Sequence, residues 1–149
     1  MTVGQLLLAL ALLPGAAEAQ LRSAPSVLAS LERVDGRGVD STLTLRLAIG
    51  VPTGWHIGAP RPGASGLPTQ LRWRLPSGWR VVEERWPPAR RELAGLDTTL
   101  LYSGSLAVFT SLARPHLDKR GDVEAVLSYG ICREVCMPGQ VTVRYHARE

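Results

Sequence analysis

The chain has 149 residues, 17 Lys+Arg against 13 Asp+Glu, and a formal net charge of +4. That length suits one domain with a real core. Lys119 is the sole lysine, and the arginines are scattered on alternating strand positions (Arg72, Arg74, Arg80, Arg85). A nucleic-acid stripe would be clustered and interleaved with aromatics, so no nucleic-acid partner is expected and the arginines read as a solvated face.

The first segment, Met1 to Gln5, leads into the apolar run Leu6 to Leu13, a Pro14-Gly15 break and Ala17-Glu18-Ala19 ahead of Gln20. A short apolar run before a small-x-small site reads as a signal peptide over residues 1–19, although no Lys or Arg precedes the run. The competing reading is a buried N-terminal helix. The run is far shorter than the roughly 20 apolar residues of a spanning helix, and no later segment is long enough either. The chain is therefore expected to be exported, most simply to the periplasm, and not membrane-spanning. Cleavage before Gln20 leaves residues 20–149 as one domain. Glu18 is the one charged residue removed, so the net charge rises to +5.

From there the hydrophobic period is two. Ser26 to Val34 is a candidate first strand. Thr42 to Ile49 alternates cleanly, with Leu43, Leu45, Leu47 and Ile49 on one face, and Gln70 to Leu75 repeats the pattern around Trp73. Gly78 to Trp86, Ser103 to Leu112, Asp122 to Ile131 and Gln140 to His146 continue the series. Asp35-Gly36, Pro52-Thr53-Gly54, Pro62-Gly63, Pro76-Ser77-Gly78, Pro87-Pro88 and Pro138-Gly139 supply turns. Gly58 to Pro68, rich in Gly and Pro, reads as a long ordered loop. Six or seven such strands with polar outer faces predict an all-β, two-sheet antiparallel sandwich. Trp55, Trp73, Trp79 and Trp86 are expected to pack in or between the sheets.

The two cysteines of the chain fall in Cys132-Arg133-Glu134-Val135-Cys136-Met137-Pro138-Gly139. That segment connects two adjacent strand candidates, so it is expected to form a hairpin at one end of the sandwich. A disulfide across so small a ring stabilises by roughly 2 kcal/mol, against about 4.7 for a hundred-residue loop. Such a bond is a weak staple, and it cannot pin two sheets across a core. Structural zinc wants four ligands, and here one pair stands beside scattered histidines. Cu(I) is a better alternative, because Cys132, Cys136 and Met137 are soft ligands at one tip that His56 could approach. An inert bridge and an exchangeable dithiol complete the alternatives.

Several segments together carry a family resemblance. Gly54-Trp55-His56, Pro62-Gly63-Ala64-Ser65-Gly66-Leu67-Pro68-Thr69, Trp73 to Trp79, Trp86-Pro87 and Cys132 to Gly139 resemble the N-terminal periplasmic domain of DsbD-type thiol:disulfide interchange proteins. The variants associated with copper tolerance are the most similar. The likeness runs from about Leu43 to Tyr145. It implies an immunoglobulin-like sandwich whose pair, Cys132 and Cys136, exchanges disulfides with thioredoxin-like proteins and draws on a membrane electron transporter. It also implies that Cys136 is the sulfur that enters the mixed disulfide. The activity implied is protein disulfide reduction, with no cofactor. Members of the family carry this domain fused to a transmembrane module and a thioredoxin-like domain, so this chain is expected either to take its electrons from another polypeptide or to be a remnant with an altered role.

The resemblance also marks departures. An aromatic that caps the disulfide in some members corresponds to the segment Arg91-Glu92-Leu93-Ala94-Gly95, where Leu93 could shield the sulfurs. His56 stands where members carry an active-site aromatic, and Gly58 replaces a common tyrosine. Cationic groups near a thiol favour the thiolate, which assigns supporting roles to Arg133 and His56, with Glu134 opposing them. Met137 and Pro138 would stiffen and cover the turn, or simply pack in an ordinary hairpin.

Overall fold

In the computed structural model, residues 24–34, 41–115 and 120–148 are described. The expected signal peptide, the expected start at Gln20 and the expected Asp35-Gly36 turn lie outside these residues. Alternating apolar positions give β1 (Leu28–Arg33), β2 (Thr42–Gly50) and β8 (Ser105–Ala113), which with β5 (Arg80–Arg85) form a four-stranded sheet in the order β1-β2-β8-β5. The second sheet runs β10 (Cys136–Ala147), β9 (Gly121–Cys132), β3 (His56–Gly63), β7 (Asp97–Tyr102) and β6 (Arg90–Ala94), with β4 (Gln70–Arg74) also paired to β9. All pairings are antiparallel. No described residue is helical, and no described helix is long and apolar enough to cross a membrane.

The core lies between the sheets. Leu43, Leu45, Leu47 and Ile49 of β2 and Val108 and Leu112 of β8 are almost fully buried. They oppose Ile57, Val123, Ala125, Leu127, Tyr129 and Ile131 of the second sheet. Each such aliphatic side chain contributes about 1.5–3 kcal/mol by leaving water. The hydroxyl of Tyr129 accepts a hydrogen bond from the Val27 amide at 3.1 Å, tying the start of the described chain to β9. Trp79 is buried, whereas the other three indoles are partly exposed. The Trp73 and Trp86 indole N–H groups both donate to the Glu84 carboxylate, at 3.1 and 2.7 Å. Trp86 stacks on Tyr102 at 5.9 Å, and burial pushes the Tyr102 phenol upward while its hydroxyl donates to the Pro87 carbonyl.

Three strands differ from the sequence reading. Residues 56–63 are a strand rather than the start of a loop, although β3 carries Pro60 and Pro62. It pairs with β9 only at His56 and Ile57, and its ladder to β7 is irregular between Gly58 and Gly63, so the prolines leave few ladder bonds unmade. The β6–β7 hairpin is also unexpected: its residues are mostly polar or half-exposed, and it forms an edge. Accordingly β7 ends at Tyr102 and β8 starts only at Ser105, after Gly104 turns the chain.

Candidate functional site

The connection between β9 and β10 is shorter than the sequence indicates. Cys132 is the last residue of β9 and Cys136 the first of β10, leaving a turn of Arg133, Glu134 and Val135. The cysteines are Cα partners in the β9–β10 ladder, with Cα atoms 4.0 Å apart, and they are joined as a disulfide. Opposed residues of an antiparallel pair point to the same side, so the bridge closes across one face of the sheet. The two cysteines differ in exposure: Cys132 is 6% exposed, whereas Cys136 is exposed. Pro138 lies within β10 opposite Gly130, a position open to proline because β10 is an edge strand.

A pocket of about 130 Å³ opens beside the disulfide, and both cysteines line it. His56 also lines it, as does Glu92 from β6. His56 is the Cα partner of Cys132, so His56, Cys132 and Cys136 form one row across β3, β9 and β10. The remaining wall comes from the segment after β3, through Ser65, Gly66 and Leu67, and from Thr99 and Leu101 of β7. Ser65 and Thr99 hydroxyls are hydrogen-bonded at 2.7 Å, fastening that segment to β7. The segment sits close because two glycines admit it. A Cβ on Gly58 would stand 2.0 Å from the Leu67 carbonyl oxygen, and one on Gly130 would stand 2.6 Å from Leu67 Cδ1.

The supporting residues separate into those at the pocket and those away from it. Glu92 accepts a hydrogen bond from Arg90 at 3.0 Å. Leu93, the next residue of β6, is 77% exposed and does not line the pocket. Successive strand residues point to opposite faces, so Glu92 rather than Leu93 is the β6 side chain beside the sulfurs. The Arg133 guanidinium lies over the Trp55 ring, 4.9 Å from its centroid, which holds the cation at the turn. Met137 packs against the main core cluster, on the face of β10 opposite Cys136. The soft-ligand set Cys132, Cys136 and Met137 is therefore not brought together on one face. The residues that sequence reasoning passed over are Leu67, Thr99 and Leu101. Only the Gly-Leu-Pro run and the glycine two residues before Cys132 could have pointed to Leu67.

A two-sheet antiparallel sandwich of immunoglobulin-like kind, with a vicinal-strand disulfide facing a small pocket, defines a recognisable class of domain. No family model matches the chain, and no curated protein matches it. Among solved structures it is similar to the N-terminal periplasmic domain of ScsB from Proteus mirabilis, with 18% identity and a TM-score of 0.53. That match covers 79% of this chain and 43% of the other. The Neisseria meningitidis DsbD N-terminal domain in the reduced form matches with 13% identity and a TM-score of 0.48, over 71% of this chain and 77% of that one. The complex between the DsbD and PilB N-terminal domains of Neisseria meningitidis matches with 11% identity and a TM-score of 0.49, over 87% and 88%. The chain thus spans less than half of the ScsB structure it matches. The chain shares the fold of the ScsB N-terminal periplasmic domain.

Proposed function

We propose that the chain is a periplasmic thiol-disulfide exchange module, relaying reducing equivalents between a membrane or thioredoxin-like donor and periplasmic disulfide proteins. The observation that carries this reading is the asymmetric disulfide: Cys136 is exposed at the strand end, while Cys132 is buried beside a pocket. An incoming thiolate reaches Cys136, and Cys132 is the leaving sulfur. Export to the periplasm rests on the signal-like start and on the periplasmic ScsB domain that shares the fold.

Trapping tests the reading. A thioredoxin-like protein is carried as its single nucleophilic cysteine, activated by a chromogenic thiol reagent. Cys132→Ala leaves the exposed thiol and is expected to form the covalent adduct at least about tenfold faster than Cys136→Ala, since thiolate access governs the rate. A reversed order overturns the assignment of Cys136. Failure of both variants to form an adduct, with a wild-type disulfide that resists a thioredoxin-like donor, overturns the exchange reading in favour of a partner-docking or Cu(I)-binding module.

A further inference from the structure

We propose that His56 is the proton donor and acceptor for the Cys132 sulfur, an inference that rests on the exchange role above. Three observations converge. His56 is the direct cross-strand partner of Cys132, and such partners project to one face with Cβ atoms about 4.5–5.5 Å apart. Both residues line the same pocket. Cys132 is buried, and a thiolate in apolar surroundings is disfavoured unless a cation or proton donor compensates it. The Cys132 sulfur also lies 3.8 Å from the Gly130 carbonyl oxygen, an acceptor that favours the protonated thiol over the thiolate. The buried sulfur therefore needs a group that gives it a proton when it leaves and takes the proton back when it attacks.

The other charged groups around the pocket are engaged or displaced. Glu92 of β6 is held by Arg90. Arg133 in the turn is held over Trp55, and Glu134 beside it is exposed. Asp97, at the outer end of β7, stands two residues beyond the pocket-lining Thr99. Cys136 itself opens to solvent. The segment contributing Ser65, Gly66 and Leu67 brings no titratable side chain. His56 is the titratable residue in register with the leaving sulfur.

The step balances as follows. A thiolate of a protein dithiol attacks Cys136 Sγ, forming the mixed disulfide as the Cys132–Cys136 bond breaks. The electron pair leaves on Cys132 Sγ, and the His56 imidazolium transfers its proton there. The partner's second thiolate then attacks its own sulfur in the mixed disulfide and releases Cys136, which takes a proton from water. The cysteine pair gains two electrons and two protons, and the partner dithiol becomes a disulfide. In the opposite direction neutral His56 takes the Cys132 proton, and the resulting thiolate attacks Cys136 Sγ to expel the reduced partner.

Dithiothreitol is the probe, and the readout is the rate of disulfide opening divided by reagent thiolate concentration, followed against pH. Wild type is expected to show a normalised rate that falls as pH rises and the proton donor is lost. His56→Gln is expected to show a flat profile, about 100-fold slower on the acid side, the low end of the loss typical for one proton-transfer group. Identical profiles in the two proteins overturn the inference and leave the exchange reading intact. A disulfide that opens in neither protein overturns both. Independently of any variant, the His56 ring resonances of wild-type protein are expected to differ between the disulfide and dithiol forms. Unchanged resonances overturn the proton-transfer role.

Discussion

Leu67 lies directly over Gly130, so close that a Cβ on the glycine would stand 2.6 Å from Leu67 Cδ1 and 2.8 Å from its Cβ. Gly130 is two residues before Cys132 and on the same face of β9. Leu67 therefore acts as a cover whose position depends on the absence of a side chain beneath it.

Gly130→Ala is expected to lift the cover. Leu67 is 47% exposed, so its tip can swing away, but its Cβ moves only with the backbone, and the expected outcome is a loss of stability of about 2 kcal/mol for overpacking. The rate of disulfide reduction by a small dithiol should rise. Gly58→Ala presses on the Leu67 backbone instead, which cannot swing aside, and should cost nearer the upper end of about 1–3 kcal/mol. Urea unfolding midpoints with paired reduction rates check both. Equal, negligible effects would show that the segment does not rest on these glycines.

Leu93 and Leu67 are expected to behave oppositely. Leu93→Ala should shift stability by less than about 0.5 kcal/mol, as surface changes do, and leave the reduction rate unaltered. Leu67→Ala should speed reduction by uncovering Cys132. A faster reduction in Leu93→Ala, measured with the same dithiol, would restore Leu93 as a cap.

Much of this arrangement was legible in the sequence, for reasons that also explain the rest. The strands β2, β8 and β9 are half-buried, so alternation writes them plainly into Leu43 to Ile49 and Val123 to Ile131. The cysteine pair and its hairpin followed from spacing and flanking strands. β3 was hidden because Pro60 and Pro62 interrupt it, and because only its first two residues join β9. Those two residues place His56 beside Cys132, so missing the strand also concealed the row across the sheet. The β6–β7 hairpin carries little alternating apolar pattern, and which of Glu92 and Leu93 meets the pocket depends on a register that one residue of slip would invert. The Leu67 cover is a tertiary contact between distant residues, and its sole trace in the sequence is the Gly-Leu-Pro run together with Gly130.

At the far end of the same sheet, Arg144 and Arg74 hold Glu124, with contacts of 2.7 and 2.8 Å. The hydrogen bond from Arg144, then that from Arg74, keeps the Glu124 carboxyl below the usual carboxylate range. A value lower in the folded than the unfolded chain gives stability that is present above the unfolded value. That stability is lost as pH falls through the folded one. In Glu124→Gln this share is missing at neutral pH, so the stability gap to wild type should narrow on acidification. Chemical unfolding across the acid range checks this; a constant gap would show that the ion pairs contribute nothing to folding.

The central claim is that Cys132 and Cys136 form an exchangeable bond rather than a structural one, and equilibrium titration against a thiol redox buffer tests it most directly. The fraction of protein with free thiols is quantified by alkylation and intact mass. The account predicts a single two-electron transition at a potential above roughly −300 mV, where labile and catalytic disulfides lie. A bond that stays closed well below that potential would contradict the account and make the pair an inert bridge.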